Sequence, residues 1–204
     1  TFQIPINNVP LEEAHLDRTD VRLMDVTGDG LPDIVKASSA NAWYVWRNTG
    51  GNWNTTYEIW GSDLGSYGSE NYLGDNRIAL ADVTGDGLPD IVAGLSNQWR
   101  VFRNMGDKWN NTPESWSGIG HGLEDSGVTL ADANGDGMAD IIRSTYTGDN
   151  NNSTDTWKVY KSTGSSFRTS DELWMPASNV TAHLGMENVG LADVNGDGLP
   201  DIAK

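Results

Sequence analysis

DVTGDGLPD, at residues 25–33, is the stretch that decides this fold. It returns as DVTGDGLPD at 82–90, DANGDGMAD at 132–140 and DVNGDGLPD at 193–201. Three aspartates and two glycines in nine residues admit three readings: a tight turn, a metal site or a catalytic carboxylate cluster. What surrounds the four copies separates them.

The copies start at Asp25, Asp82, Asp132 and Asp193, a period of 50–61 residues. Other columns keep the same beat. Val21, Ile78, Val128 and Val189 stand four residues before each copy, and Leu23, Leu80, Leu130 and Leu191 two before. Apolar residues two apart ahead of a turn form one face of a β-strand. After the copies come the apolar runs DIVKAS (33–38), DIVAGL (90–95), DIIRST (140–145) and DIAK (201–204). Then follow WYVWRNTGGNW (43–53), WRVFRNMGDKW (99–109) and WKVYKSTGSSF (157–167), with Trp60, Trp116 and Trp174 seven residues further on. Their shared pattern, W-x-V-aromatic-basic-N/S-x-G-x-x-aromatic, reads as strand, glycine turn, strand. Each unit therefore holds four strands: near 21–26 in the first copy, after the acidic turn, from the first Trp, and from near the aromatic that closes the glycine turn. No segment carries a 3.6-residue period. The predicted class is all-β: β-propeller blades of four antiparallel strands. Residues 1–8 read as the last strand of a preceding blade. Residues 1–204 then form a partial propeller of three full blades plus parts of flanking ones.

The nine-residue stretch offers oxygen at alternate positions. Position 1 is Asp25, Asp82, Asp132 and Asp193, and position 5 is Asp29, Asp86, Asp136 and Asp197. Position 9 is Asp33, Asp90, Asp140 and Asp201. Position 3 is Thr27, Thr84, Asn134 and Asn195. Leu31, Leu88, Met138 and Leu199 at position 7 can give only a backbone carbonyl. Glycine at position 6 permits a sharp turn. An all-oxygen, alternate-residue set suits a hard cation that takes about six to eight ligands, namely Ca²⁺, and argues against zinc or copper. An EF-hand is excluded, because its twelfth position would fall on Lys36, Ala93, Arg143 and Lys204 rather than Glu. A metal-free Asx turn explains one copy, but four clusters of unneutralised carboxylates would repel. A glycosidase pair should be unique, and a metal-bound carboxylate is a poor general acid. Up to four Ca²⁺ ions are expected, bound less tightly in the two threonine-containing loops.

These residues resemble the FG-GAP/VCBS repeats of integrin alpha-subunit propellers. GDGLPDIV followed by the tryptophan pattern is similar to repeats in Rhs and insecticidal-toxin surface proteins and in fungal propeller lectins. The resemblance spans the chain. It implies an acidic loop joining the first two strands of each blade and holding Ca²⁺. Threonine at position 3, where Asp or Asn is usual, is the main departure.

Composition agrees. Twenty-nine acidic against 13 basic residues give a net charge of −16, which repels nucleic-acid phosphates and anionic membranes. Positions 1, 5 and 9 supply twelve of those acids, so the acidity belongs largely to the loops. The absence of cysteine excludes disulfides and thiolate chemistry. No apolar run is long enough for a membrane-spanning helix. The opening TFQIPINNVP lacks the pattern of a signal peptide. His15 and His183 share a repeat column with Tyr72, which reads as structural, and His121 lies one residue off it. The Trp columns are expected to pack between blades rather than to stack sugars. Ligand-binding candidates are the irregular connections 61–77, 117–127, 146–156 and 175–188. Sequons at Asn54, Asn110, Asn151, Asn152 and Asn179 permit glycosylation.

The expected function is a non-catalytic, calcium-binding module of a secreted or cell-surface protein. It would serve recognition, adhesion or a toxin shell, toward a protein or glycan partner. The alternatives are a propeller lectin, or a subunit completed by other copies or by the rest of a larger propeller.

Overall fold

A computed structural model describes residues 16–37, 42–62, 73–96, 98–145, 155–178 and 182–204. They form fourteen strands, and among the described residues there is no helix. The first sheet has the order β1 (Val21–Met24), β2 (Asp33–Ala37), β3 (Ala42–Trp46), β4 (Glu58–Ser62). The second is β5 (Ile78–Ala81), β6 (Asp90–Leu95), β7 (Gln98–Phe102), β8 (Glu114–Trp116). The third is β9 (Val128–Ala131), β10 (Asp140–Thr145), β11 (Asp155–Tyr160), β12 (Glu172–Ser178). β13 (Gly190–Ala192) and β14 (Asp201–Ala203) pair alone. Each strand lies beside its neighbour in sequence, as meandering blades require. The four-stranded expectation holds at every complete repeat. Residues 1–8, read above as a flanking strand, lie outside the described residues.

Alternation sets what each face buries. β2 pairs antiparallel with β1 and β3, with Leu23 opposite Ile34 and Val35 opposite Val45. Val35, Ala37, Trp43 and Val45 point one way and join one core with Val26, Trp60, Leu73, Ile91, Phe102 and Trp109. Val21, Ile34 and Trp46 point the other way, against Tyr44, Trp53 and Tyr57. A central strand buried on both faces needs an apolar run, and Asp33–Ala37 is buried throughout. These clusters belong to one compact unit, which combines residues up to Leu80 with Gly87–Ala93 and Arg100–Glu114. The other unit holds Ala81–Asp86, Gly94–Trp99 and Ser115–Lys204. Its core includes Ile142, Trp157 and Val159, packed by Trp174, Leu184, Leu191 and Ile202.

Two boundaries differ from the sequence reading. The fourth strands begin at Glu58, Glu114 and Glu172, not near the glycine-turn aromatics. Trp53, Trp109 and Phe167 instead close single bridges to Asn48, Asn104 and Ser162. Polar segments such as NTTY (54–57) then bend before pairing resumes. The first strands also stop before the motif, at Met24, Ala81, Ala131 and Ala192, because the next residue is the aspartate that organises the loop. The apolar column ahead of the motif is uneven: Val21 is buried, whereas Leu23 and Leu16 are exposed.

Candidate metal centre

Each acidic loop leaves its first strand at position 1 and enters the second at position 9. Position 1 organises the turn with its carboxylate. Asp25 Oδ1 accepts the N–H groups of Gly28 at 2.8 Å and Asp29 at 3.2 Å, and Oδ2 accepts that of Gly30 at 2.7 Å. Asp132 repeats this with Gly135, Asp136 and Gly137, and Asp193 with Gly196, Asp197 and Gly198. In the second copy, Asp82 Oδ1 accepts from Thr84 N–H at 3.1 Å and Gly85 N–H at 2.7 Å. Wrapping three donors around one carboxylate needs positive φ twice. Position 6 has φ of 84° at Gly30 and 87° at Gly137, and position 4 has 77° at Gly28 and Gly135. The second requirement was not anticipated above, although its signal, the invariant spacing G-x-G within the four copies, was present in the sequence.

Position 5 caps position 7. Asp29, Asp136 and Asp197 each accept the N–H of Leu31, Met138 and Leu199 at 2.9 Å. Position 9 is the buried member: Asp33, Asp90 and Asp140 have no exposed surface. Asp33 accepts N–H groups from Val26 at 3.2 Å and Asn48 at 2.7 Å, so it ties the loop to the glycine turn that follows the third strand. Asp90 accepts from Asn104 N–H at 2.9 Å, and Asp140 from Ala133 at 3.3 Å and Ser162 at 2.8 Å. Position 3 separates the loops. Asn134 accepts the Asp136 N–H at 3.0 Å and donates to Asp140 at 3.1 Å, bridging positions 5 and 9. Asn195 does the same with Asp197 and Asp201. The Thr27 and Thr84 hydroxyls stand 3.4 Å from Asp25 and Asp82.

Burial raises the pKa of Asp33, and the charge of Asp29 adds to that, against the N–H groups of Asn48 and Val26. Burial pushes Asp140 up to about 6, with the charges of Asp136 and Asp132 adding, against the N–H groups of Ser162 and Ala133. Asp193, exposed and ringed by the N–H groups of Gly198, Gly196 and Asp197, is held below the usual range. Two loops thus carry a carboxylate whose charge is disfavoured by burial and, to a smaller extent, by the neighbouring aspartates. Among the described residues, no three acidic or histidine side chains stand close enough to hold a metal between them. In the loops at 25–33, 132–140 and 193–201 each of the three carboxylates accepts backbone N–H donors instead.

The remaining sequence candidates separate clearly. Trp43, Trp46, Trp60, Trp99, Trp109 and Trp157 are fully buried, so these rings pack rather than present a platform. Trp43 and Trp60 meet Trp109 at 5.4 and 5.3 Å. His121 bonds Asp125 at 2.8 Å, and its carbonyl accepts the Trp99 indole N–H at 3.1 Å. His15, Tyr72 and large parts of the connections 61–77 and 146–156 lie outside the described residues. One recurrent feature escaped the sequence reading. Arg47–Glu58, Arg103–Glu114 and Lys161–Glu172 are equivalent ion pairs between third and fourth strands. Their signal is a Glu two residues before each last Trp.

Residues 25–93 and 82–143, together more than half of the chain, match the FG-GAP-like repeat family. No curated protein matches. Among solved structures, the Photorhabdus luminescens Tc holotoxin pore superposes with a TM-score of 0.65 at 20% identity, over 97% of this chain and 9% of that one. An Agrocybe aegerita lectin, solved for its recognition of non-reducing terminal N-acetylglucosamine, gives 0.60 at 24% identity, over 89% of this chain and 45% of the lectin. The TcdB2–TccC3 complex without its hypervariable C-terminal region gives 0.50 at 21% identity, over 74% and 8%. This chain therefore spans less than half of each, and at these identities the likeness shows the propeller fold alone.

Proposed function

Because this chain belongs to the FG-GAP-like repeat family, we propose that it is a calcium-dependent, non-catalytic β-propeller module of a secreted or cell-surface protein. The observation that carries the reading is the acidic loop, with its alternating oxygens and an Asp140 whose charge is disfavoured by burial and further by Asp136 and Asp132. A cation there would relieve that repulsion. The residues that would hold it are Asp25, Thr27, Asp29 and Asp33 with the Leu31 carbonyl, and their counterparts in the other loops. Hydrogen-bonded carboxylates keep further lone pairs for a ligand. The ion would supply charge neutralisation and a tie between first and second strands.

The module's role would be recognition, adhesion or shell formation within a larger assembly. Among the described residues, no helix is long and apolar enough to cross a membrane. Loops of this charge suit the weak calcium sites of extracellular modules, whose dissociation constants run to about 0.1–1 mM. Calorimetric titration of chelator-treated protein with CaCl₂ tests the assignment. Saturable binding is expected, reduced in the Asp136→Asn and Asp197→Asn variants while both retain their fold. Binding of equal size in those variants would contradict the loop assignment.

A further inference from the structure

Asparagine is followed by glycine at Asn134–Gly135 and Asn195–Gly196 and nowhere else in the chain. Both pairs occupy positions 3 and 4 of an acidic loop, where the two earlier loops begin with Thr27 and Thr84. Such a pair is chemically labile, because glycine has no Cβ to shield its backbone nitrogen. Once its N–H gives a proton to solvent base, that nitrogen attacks Cγ of the asparagine. The N–Cγ bond forms, the Cγ–Nδ2 bond breaks, and ammonia leaves behind a five-membered succinimide. Water then opens the ring. Cleavage of the new bond gives aspartate, and cleavage of the bond to the main-chain carbonyl gives isoaspartate. The balance is one water consumed and one ammonia released.

The folded loop closes this route at its first step. Gly135 N–H donates to Asp132 Oδ1 at 2.8 Å, and Gly196 N–H to Asp193 Oδ1 at 2.7 Å. A proton shared with a carboxylate is held more strongly than one shared with water. The side chain under attack is held as well. Asn134 Oδ1 accepts the Asp136 N–H at 3.0 Å, and its Nδ2 donates to Asp140 at 3.1 Å. Asn195 has the equivalent partners at 2.8 and 3.4 Å. The position-1 carboxylate also guards the Asp–Gly pair that follows, which forms the same ring by losing water. Gly137 N–H donates to Asp132 Oδ2 at 2.8 Å, and Gly198 N–H to Asp193 Oδ2 at 2.9 Å. Gly135, Asp136 and Gly137 are exposed, so burial does not supply the protection.

We infer that Asn134 and Asn195 are latent deamidation sites, locked by the carboxylates of Asp132 and Asp193. The modification occurs when a loop opens, and neither product lets the loop close as before. Aspartate replaces the amide that donates to Asp140 by a second carboxylate facing it. Isoaspartate lengthens the main chain by an atom beside Gly135, whose φ of 77° sets the turn. Loop opening is thereby recorded as a permanent covalent change at position 3, which threonine in the first two loops cannot undergo. None of this depends on calcium in the loops.

The test incubates the full 204-residue chain in chelator at mildly alkaline pH, folded or in denaturing urea. Peptide mapping by mass spectrometry follows amide-to-acid conversion at each asparagine. In urea, Asn134 and Asn195 are expected to convert ahead of all other asparagines. In the folded chain both should slow by about tenfold or more, the effect of one hydrogen bond to a charged group. Folded Asp132→Ala should release Asn134 while Asn195 stays slow, and Asp193→Ala should do the reverse. A variant that unfolds releases both sites together, and wild type then decides. In graded urea below the unfolding midpoint, its Asn134 rate should rise in step with hydrogen exchange at the Gly135 amide. Equal rates in the folded and unfolded chain would overturn the assignment. So would conversion of Asn134 while the Gly135 N–H stays protected from exchange, or a folded Asp132→Ala variant in which Asn134 is as slow as in wild type.

Discussion

Within an acidic loop the aspartates hold different jobs, and substitutions should separate them. Asp33 is buried and satisfies two backbone N–H groups. Asp33→Ala would leave those donors unpaired and is expected to cost about 2–4 kcal/mol with or without calcium, read as a lowered urea midpoint. Asp29 is exposed, and its carboxylate caps the Leu31 N–H. Asp29→Asn should leave the chelated protein within about 0.5 kcal/mol of wild type while weakening calcium binding. The two glycines differ as well. Gly30 at φ 84° has open space around it, so Gly30→Ala pays for backbone strain alone, about 1 kcal/mol. Gly28 at φ 77° would set its new Cβ 2.8 Å from Leu88 Cδ2 and should destabilise more. Asp140 makes the chain pH-sensitive. Its folded-state pKa of about 6 lies above the ordinary 3.8, so in metal-free protein its contribution is greatest below about pH 4. That contribution is lost as pH rises through about 6. A bound cation favours the carboxylate and reverses the trend, so calcium stabilisation should grow from pH 5 to pH 7. Melting midpoints of wild type and Asp140→Asn across that range, with chelator and with calcium, check both signs.

At the scale of strands and seams, aromatic packing outweighs surface charge. Trp109 is 1% exposed and touches both Trp43 and Trp60. Trp109→Ala should therefore cost about 3–5 kcal/mol by equilibrium unfolding. Removing the part-exposed Arg47–Glu58 pair should cost no more than about 1 kcal/mol, because water screens it. Strand order was legible because acidic turns, apolar runs and tryptophans recur in one fixed sequence. The start of the fourth strand was not, since Trp53 and Trp109 look like strand residues although each makes only an isolated bridge. A single bridge and a strand ask for the same aromatic, and only the bend that follows tells them apart. Similarly, Leu23 alternates correctly with Val21 yet is exposed, because periodicity names a face without saying what covers it.

For the whole molecule, the repeat count was readable from the motif. Left unread was the way position 7 of one loop crowds the position-4 glycine of the loop before. Leu88 approaches Gly28, Met138 approaches Gly85 and Leu199 approaches Gly135. Those contacts join residues a full repeat apart, which no local pattern encodes. They make the acidic loops part of the packing between repeats as well as the seat of most of the charge. Calcium in the loops would therefore stabilise the repeat stack and offset a net charge of −16 together. The most direct measurement is thermal unfolding of the 204-residue chain in chelator and in millimolar CaCl₂, at constant ionic strength. A clear rise in the midpoint with calcium, absent with magnesium at the same concentration, is the expected result. Superimposable curves in chelator and calcium would contradict the account.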